Sequence, residues 1–218
     1  MQFTDELYLE VKELWNEFCH HPFVDGIGSG KLDQEKFRFY MIQDYLYLLD
    51  YAKVYSLGVI KSDEEETMAK FATLANGILN TEMSLHRQYM KELGISKEEV
   101  AIAKKSLHNA SYTNYMLAVS YAGGIAEIAV SLLSCLWSYE IIGKFLYKKY
   151  GLQDNFYRKW VEVYISEDYH KLNEWLLELV NKHTENITAK QREKLIEIFV
   201  NTSRYEGLFW DMAYSGEM

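Results

Sequence analysis

The stretch from Ile125 to Tyr150, IAEIAVSLLSCLWSYEIIGKFLYKKY, decides the fold class. It is apolar over most of its length, contains no proline, and lies between Gly123-Gly124 and Gly151. Glycine is common where a helix ends, so the stretch predicts one long, buried helix. Neither this stretch nor any other reaches 18 uncharged apolar residues, and we therefore expect no membrane span.

Helical periodicity continues through the rest of the chain. Apolar residues from Phe3 to Phe18 recur every three or four positions, and His21-Pro22 is predicted to end this first helix. The Gly26–Gly30 segment is interpreted as a connecting loop, because no strand precedes it as a dinucleotide site would require. A third helix is expected to end near Leu93-Gly94. Residues that can cap a helix N-terminus stand before several helical stretches: Asp33, Ser62, Ser96, Asp168 and Thr188.

The pattern predicts a single all-α domain of seven to nine helices that spans residues 1–218. The chain has only one proline, and no hairpin, repeat or linker signal interrupts the helical pattern. Apolar residues make up 49% of its 218 residues, which is enough for a substantial core.

Charge and cysteine content exclude several classes of function. The chain has 32 acidic and 23 basic residues, a net charge of −9, and therefore lacks the basic surface that nucleic acid or an anionic membrane requires. Two cysteines, Cys19 and Cys135, form neither a disulfide framework nor a zinc pattern. No secretory leader is recognisable, and we expect a cytoplasmic protein with free thiols.

Asp44, Tyr47 and Tyr51 share one face of a predicted helix, because they are spaced three and four residues apart. A carboxylate among aromatic side chains must find a partner when it is buried. Asp44 could bind a hydrogen-bond donor of a ligand, with the tyrosines as walls. Alternatively, neighbouring hydroxyls within an aromatic core could donate to the Asp44 carboxylate, and the sequence alone favours this second interpretation.

Two further side chains could carry chemistry. Glu127, Ser131, Cys135 and Tyr139 recur every four residues and form a polar line on the long apolar helix. A thiol in this line is a nucleophile if its neighbours assist ionisation, whereas most buried cysteines are inert. Glu206 lies among apolar and aromatic residues, a setting that can raise a carboxyl pKa and produce an acid or base. The alternative is an ordinary helix glutamate paired with Arg204 or another cation.

Two Glu-x-x-His motifs suggest a metal site. Glu17–His20 and Glu167–His170 lie on different predicted helices, and such a pair with two further carboxylates can hold a di-iron centre. The motif arises easily by chance, the first copy lies at a predicted helix end, and Asp168 in the second is expected to cap a helix, so we favour ordinary helix residues and expect no metal site.

Several segments together resemble the TenA family, also called thiaminase II. The resemblance spans nearly the whole chain and rests on the order and spacing of six pieces: His21–Leu32, Phe39–Tyr45, Glu82 with His86 and Arg87, Ser111-Tyr112-Thr113, Ala126–Trp137, and Tyr205–Tyr214. Ser134 departs from the family pattern, since many members have proline just before the cysteine.

The resemblance implies a haem-oxygenase-like helical bundle and a homotetramer. It implies hydrolysis of 4-amino-5-aminomethyl-2-methylpyrimidine to the 5-hydroxymethyl compound and ammonia, a thiamin salvage step, and cleavage of thiamin by many members. No metal or organic cofactor is implied, and the partners are the pyrimidine or thiamin substrate. A haem-oxygenase-like di-iron oxygenase and a pyrimidine-binding regulator without turnover are the alternatives.

The resemblance also assigns roles to residues. Cys135 would be the nucleophile and Glu206 the proton donor. Tyr47 and Tyr112 would support the nucleophilicity of the cysteine. The residues expected to contact the pyrimidine are Asp44, Tyr139 and Tyr164.

Overall fold

The computed structural model describes residues 2–218, apart from the side chain of residue 81, and within that range it contains helices and no strands. A short π-helical segment, Ile78–Glu82, joins α4 to α5. The helices are α1 Phe3–His20, α2 Pro22–Ser29, α3 Gln34–Lys61, α4 Glu65–Gly77, α5 Met83–Glu92, α6 Lys97–Ile102, α7 Leu107–Ala122, α8 Ile125–Tyr150, α9 Arg158–Tyr164, α10 Glu167–Thr184 and α11 Ala189–Ser215.

The α8 helix is the centre of the fold. It has the predicted bounds, and Gly151 ends it in the left-handed conformation at φ +68°. It packs against α7, α9, α10 and α11. Its length and a mean hydropathy of 1.6 would suffice to cross a membrane, but 72% of that apolar window is buried inside the protein. The apolar surface of α8 is therefore covered by other helices, as in the core of a globular protein.

The Gly26–Gly30 segment is not the loop that its glycines suggest. Most of it belongs to α2, which begins with Pro22 and whose C-cap Gly30 has a φ of +71°. Gly28 packs so tightly that a Cβ atom there would lie 2.6 Å from Leu146. Its absent side chain allows α2 to approach α8, and helix contact rather than loop flexibility explains this glycine.

The predicted third helix is interrupted. It ends near Leu93 as expected, but the π-helical segment divides it into α4 and α5. Its start also differs from the prediction, because Glu64 is the N-cap, and Ser62 Oγ accepts the backbone N–H of Glu64 and donates to the Glu64 carbonyl oxygen. A π turn adds a residue to the helical path and is frequent at functional sites.

Most predicted caps are confirmed, and the helix count is higher than predicted. Asp33, Ser96 and Thr188 accept backbone N–H groups of the first turns of α3, α6 and α11. Ser166, rather than the predicted Asp168, caps α10 by accepting the N–H of Tyr169. Residues 2–218 contain eleven α-helices instead of seven to nine, because short helices such as α2 and α6 carry little periodicity.

Candidate active site

A cavity of about 820 Å³ lies between α3, α8, α9, α10 and the π-helical segment. Its volume is in the range that binds small molecules. Its walls are mainly aromatic and aliphatic, with a few acidic side chains, one thiol and one lysine, Lys159. The polar and aromatic residues that line it include Asp44, Tyr47, Tyr51, Tyr55, Glu82, Cys135, Tyr139, Tyr164, Asp168 and Tyr169.

The polar line predicted on α8 is divided between the cavity, the core and the surface. Cys135 and Tyr139 line the cavity. Ser131 is buried and donates to the carbonyl of Ile128. Glu127 lies at the start of α8, where it accepts the N–H of Gly124 and pairs with a lysine of α11. Only the C-terminal half of the line therefore faces a space that a ligand can enter.

The Cys135 thiol is partly exposed in this cavity, and Glu206 lies beside it. Burial raises the pKa of Cys135 well above its ordinary value and the charge of Glu206 raises it further, whereas a hydrogen bond to Tyr47 lowers it. Burial also raises the pKa of Glu206 to about 7, although hydrogen bonds to Tyr112 and Cys135 lower it. The resting pair therefore holds a protonated thiol next to a carboxyl that can gain or lose a proton near neutral pH.

Tyr112 fixes the Glu206 carboxyl. Its hydroxyl donates to Glu206 Oε1 at 2.7 Å and lies 3.5 Å from Ser134 Oγ. Arg204, the cation suggested as an alternative partner for Glu206, is exposed on α11 and makes no ion pair with it. A tyrosine on α7 thus holds a carboxyl on α11, and Ser134 stands next to this contact.

Tyr47 reaches the thiol from the opposite helix, α3. Its ring lies 5.2 Å from the ring of Tyr112, and its hydroxyl is 3.8 Å from the sulfur of Met116. Burial and the charge of Cys135 raise the pKa of Tyr47, so this phenol stays protonated and can donate a hydrogen bond.

Asp44 is buried, and its partner is a histidine rather than the hydroxyls considered from the sequence. His86 Nε2 lies 2.6 Å from Asp44 Oδ2, and His86 Nδ1 lies 3.1 Å from the carbonyl oxygen of Glu82. Burial lowers the pKa of His86, but the hydrogen bond and charge of Asp44 outweigh this and raise it. Asp44 still lines the cavity, so this pair presents a carboxylate to a ligand.

Tyr139 and Tyr164 form an aromatic wall of the cavity. Their ring centroids are 4.8 Å apart with an interplanar angle of 59°. Both are buried, and burial raises the pKa of each phenol well above its ordinary value. A flat ring can pack on such faces while the hydroxyls donate to its nitrogen atoms.

The structure brings all seven residues named from the sequence around the thiol. Five of them, Asp44, Tyr47, Cys135, Tyr139 and Tyr164, line the cavity, while Tyr112 bonds to Glu206, which in turn bonds to Cys135. Glu82 and Tyr169 also line the cavity, and the sequence analysis gave neither residue a role in the site. The four-residue spacing of Glu82 and His86 places both on one helical face and is the signal that could have drawn attention to Glu82.

The predicted alternative of a di-iron centre finds no donor set among residues 2–218. No group of three or more His, Cys, Asp or Glu side chains lies close enough to hold a metal ion. His20 bonds to the carbonyl of Asn16, and His170 pairs with Glu140 at 2.7 Å. The histidines of both Glu-x-x-His motifs therefore have partners within the protein.

Comparison with known proteins extends over almost the full chain. The TENA/THI-4/PQQC family model matches residues 8–216. A Helicobacter pylori protein named aminopyrimidine aminohydrolase is 45% identical over 215 residues, covering 98% of this chain and 99% of its own. A protein of the same name from Halalkalibacterium halodurans is 41% identical over 219 residues, covering 100% of this chain and 98% of its own.

Solved structures agree with this assignment. The TenA homologue from P. horikoshii OT3 superposes with a TM-score of 0.91 at 32% identity, covering 99% of this chain and all of that one. A Shewanella denitrificans domain described as having a heme oxygenase-like fold matches with a TM-score of 0.74 at 16% identity, covering 98% and 92%. The predicted haem-oxygenase-like all-α fold is confirmed. The chain belongs to the TENA/THI-4/PQQC family.

Proposed function

We propose that this protein is an aminopyrimidine aminohydrolase of thiamin salvage. Its substrate is 4-amino-5-aminomethyl-2-methylpyrimidine, which it hydrolyses to the 5-hydroxymethyl compound and ammonia. The observation that carries the proposal is Cys135 facing a cavity with Glu206 beside its sulfur. The relatives named aminopyrimidine aminohydrolase support it, because they match this chain over nearly its full length.

In this proposal Asp44 and the tyrosines bind the aromatic ring. The Asp44 carboxylate accepts from the exocyclic amine of the pyrimidine, a charge-assisted hydrogen bond that orients the ring. Tyr139 and Tyr164 pack against the ring faces and offer their hydroxyls to its edge. The His86 contact holds Asp44 in place, so that little ordering is required when the substrate arrives.

Covalent catalysis begins with Cys135. Its sulfur adds to the ring carbon next to the one that bears the aminomethyl group, the thiol proton passes to Glu206, and Glu206 protonates a ring nitrogen. A carboxyl with a pKa of about 7 suits both transfers at neutral pH. Tyr47 donates to the sulfur while it carries negative charge, and Tyr112 keeps the Glu206 carboxyl beside it.

Loss of the amine follows from the dearomatised adduct. The electron pair of the exocyclic ring amine moves through the ring, and the C–N bond to the protonated aminomethyl nitrogen breaks, so that this nitrogen leaves as ammonia. Water adds to this carbon and gives up a proton, the sulfur leaves, and the ring nitrogen returns its proton to Glu206. The intermediate divides a difficult displacement into easier steps.

Thiamin is a second candidate substrate. The same steps expel its thiazolium ring, and a cavity of about 820 Å³ has room for this larger leaving group beside a pyrimidine. No comparable observation favours an oxygenase or a regulator without turnover. A buried Glu206 beside a thiol costs stability and adds nothing to simple binding.

Three further properties belong to the same proposal. Residues 1–218 form one domain, which is consistent with a single cluster of buried apolar residues among those described. The protein is cytoplasmic, which agrees with two free cysteines. It assembles as a homotetramer, and light scattering coupled to gel filtration should then give a mass close to four times 25.7 kDa.

The proposal is tested with purified protein and both candidate substrates, with products identified by mass spectrometry. We expect the hydroxymethyl pyrimidine from the wild type and none from Cys135→Ser, which should still bind the pyrimidine. Cys19→Ser is the matched control, since Cys19 is buried in the core and burial raises its pKa to about 11. Full residual turnover by Cys135→Ser would overturn the mechanism.

A further inference from the structure

Glu82 presents a carboxyl group to the cavity and has no assigned role in the reaction described above. It is the last residue of the π-helical segment, and both Ile78 and Glu82 line the cavity. Among the described residues, no hydrogen-bond donor satisfies this carboxyl; it is influenced by burial and by the charges of His86 and Asp44. A desolvated carboxyl without a donor is unfavourable, so it gains from a ligand that brings one.

The surroundings of Glu82 favour a cationic ligand. Burial raises its pKa to about 7, the charge of His86 lowers it, and the charge of Asp44 raises it. The remaining neighbours whose ionisation responds to Glu82 are the Cys135 thiol and the phenols of Tyr55, Tyr164 and Tyr169. None of these groups carries a positive charge, and His86 is already bonded to Asp44. Among the described residues that line the cavity, the one cation is Lys159, which lies 3.6 Å from Glu92.

The position of Glu82 matches one substituent of the proposed substrate. On the pyrimidine ring, the carbon bearing the aminomethyl group lies between the carbon bearing the exocyclic amine and the carbon that sulfur attacks. In the proposed pose, Asp44 binds that amine and Cys135 stands at the attacked carbon. Glu82 lines the same cavity as Asp44 and Cys135, and His86, one helical turn after Glu82, contacts both the Glu82 carbonyl oxygen and Asp44. In this pose we therefore assign Glu82 to the substituent that lies between the other two contacts.

We propose that the Glu82 carboxylate binds the protonated aminomethyl group of the substrate and so selects cationic C5 substituents that carry N–H donors. This inference rests on the proposed function. A primary aminomethyl group is a cation near neutral pH, as the lysine side chain is. Its three N–H bonds can satisfy Glu82, whereas the quaternary nitrogen of thiamin offers charge but no hydrogen bond.

The consequence is a distinction between two molecules of nearly equal shape. The aminomethyl substrate and its hydroxymethyl product differ by an ammonium in place of a hydroxyl. Glu82 binds the ammonium group of the substrate as an ion pair, whereas it accepts only a neutral hydrogen bond from the hydroxyl of the product. Because the product loses the ion pair when ammonia leaves, the same contact that binds substrate also favours product release.

The test measures binding by calorimetry at pH 7 in a Cys135→Ala background, where no turnover interferes. Glu82→Gln should weaken the binding of the aminomethyl pyrimidine by about tenfold or more and that of the hydroxymethyl pyrimidine by about twofold or less. The matched control is Glu162→Gln. Glu162 also lines the cavity, but its carboxyl already accepts from Arg158 Nε at 2.6 Å, so neither ligand should be affected.

The outcomes separate this inference from the proposed function. Equal weakening of both ligands by Glu82→Gln, or no weakening of either, would overturn the role of Glu82. An equally large selective loss in Glu162→Gln would also overturn it, because general cavity charge would then explain the effect. Ammonia release by the wild type is measured separately, and its absence would contradict the proposed function. The ratio of the affinities for the aminomethyl and hydroxymethyl pyrimidines still decides the role of Glu82.

Discussion

The hydrogen bond between Tyr112 and Glu206 leads to a quantitative prediction for Tyr112→Phe. The substitution keeps the buried ring, which stacks on Tyr205 at an interplanar angle of 10°, and removes only the hydroxyl that donates to Glu206 at 2.7 Å. Hydrogen bonds to charged groups contribute about 1.5–3 kcal/mol. Since about 1.4 kcal/mol corresponds to a tenfold change in an ionisation constant, loss of this hydrogen bond should raise the pKa of Glu206 by roughly one to two units.

The sign follows from the first proton transfer, in which Glu206 must be ionised to take the proton of the Cys135 thiol before passing it to the ring. In the wild type, the pKa of about 7 for Glu206 predicts that kcat/KM rises as pH rises through neutrality, because a protonated carboxyl cannot accept the thiol proton. Loss of the Tyr112 hydroxyl disfavours the carboxylate and raises this pKa further. The rising limb of the profile should therefore move to higher pH by about one to two pH units.

The assay is the pH dependence of kcat/KM for aminopyrimidine hydrolysis, with folding at each pH checked by thermal unfolding. Tyr115→Phe is the matched control, because it removes a phenol hydroxyl of the same helix that accepts from Asn201 and does not contact Glu206. A rising limb at the same pH in wild type and Tyr112→Phe would refute the assignment of this limb to Glu206. A shift of equal size in Tyr115→Phe would refute the specific contact.

Three further predictions concern binding and stability. Asp44→Asn should weaken binding of the hydroxymethyl pyrimidine by about tenfold to a hundredfold in calorimetry, and unchanged affinity would contradict its role. Glu206→Gln should flatten the pH dependence of the free energy of unfolding in chemical denaturation. A buried acid with a raised pKa contributes its full stability below about pH 4.5, and this contribution is lost as pH rises to about 7. Over this range the free energy of unfolding of the wild type should fall by about 3 kcal/mol relative to that of the variant. Gly58→Ala should lower the free energy of unfolding by about 1–3 kcal/mol, because its Cβ would lie 2.6 Å from the ring of Phe71. In the same denaturation series, Gly77→Ala should be neutral or slightly stabilising, because its Cβ would meet nothing within 4 Å. Parallel curves for wild type and Glu206→Gln, or equal effects at the two glycines, would contradict the packing and burial described here.

Local signals in the sequence predicted most of the helices. The long apolar stretch of α8 and its terminal Gly151 gave correct bounds, because helix ends depend on nearby residues. The Gly26–Gly30 segment was misinterpreted because glycine marks loops in sequence, whereas Gly28 here serves a close contact with Leu146 of a distant helix. Such a contact has no local signature.

In the candidate site as well, local sequence patterns identified the side chains but not their distant partners. The candidate side chains on α3 and α8 could be named from their spacing, and the family resemblance assigned roles to them. The partners could not be deduced, because Tyr112 and Glu206 are 94 residues apart and Asp44 and His86 are 42 apart. The raised pKa of Glu206 depends on burial, which is a property of the assembled helices rather than of its neighbours in sequence.

The most direct test of cysteine-dependent hydrolysis is ammonia release from the aminomethyl pyrimidine in water labelled with heavy oxygen, measured for wild type and Cys135→Ala at equal concentration. The account predicts that the wild type releases one ammonia for each hydroxymethyl pyrimidine formed, that the new hydroxyl carries the label, and that Cys135→Ala forms neither product. Labelled product at the wild-type rate from Cys135→Ala, or no product from a folded wild type, would contradict it.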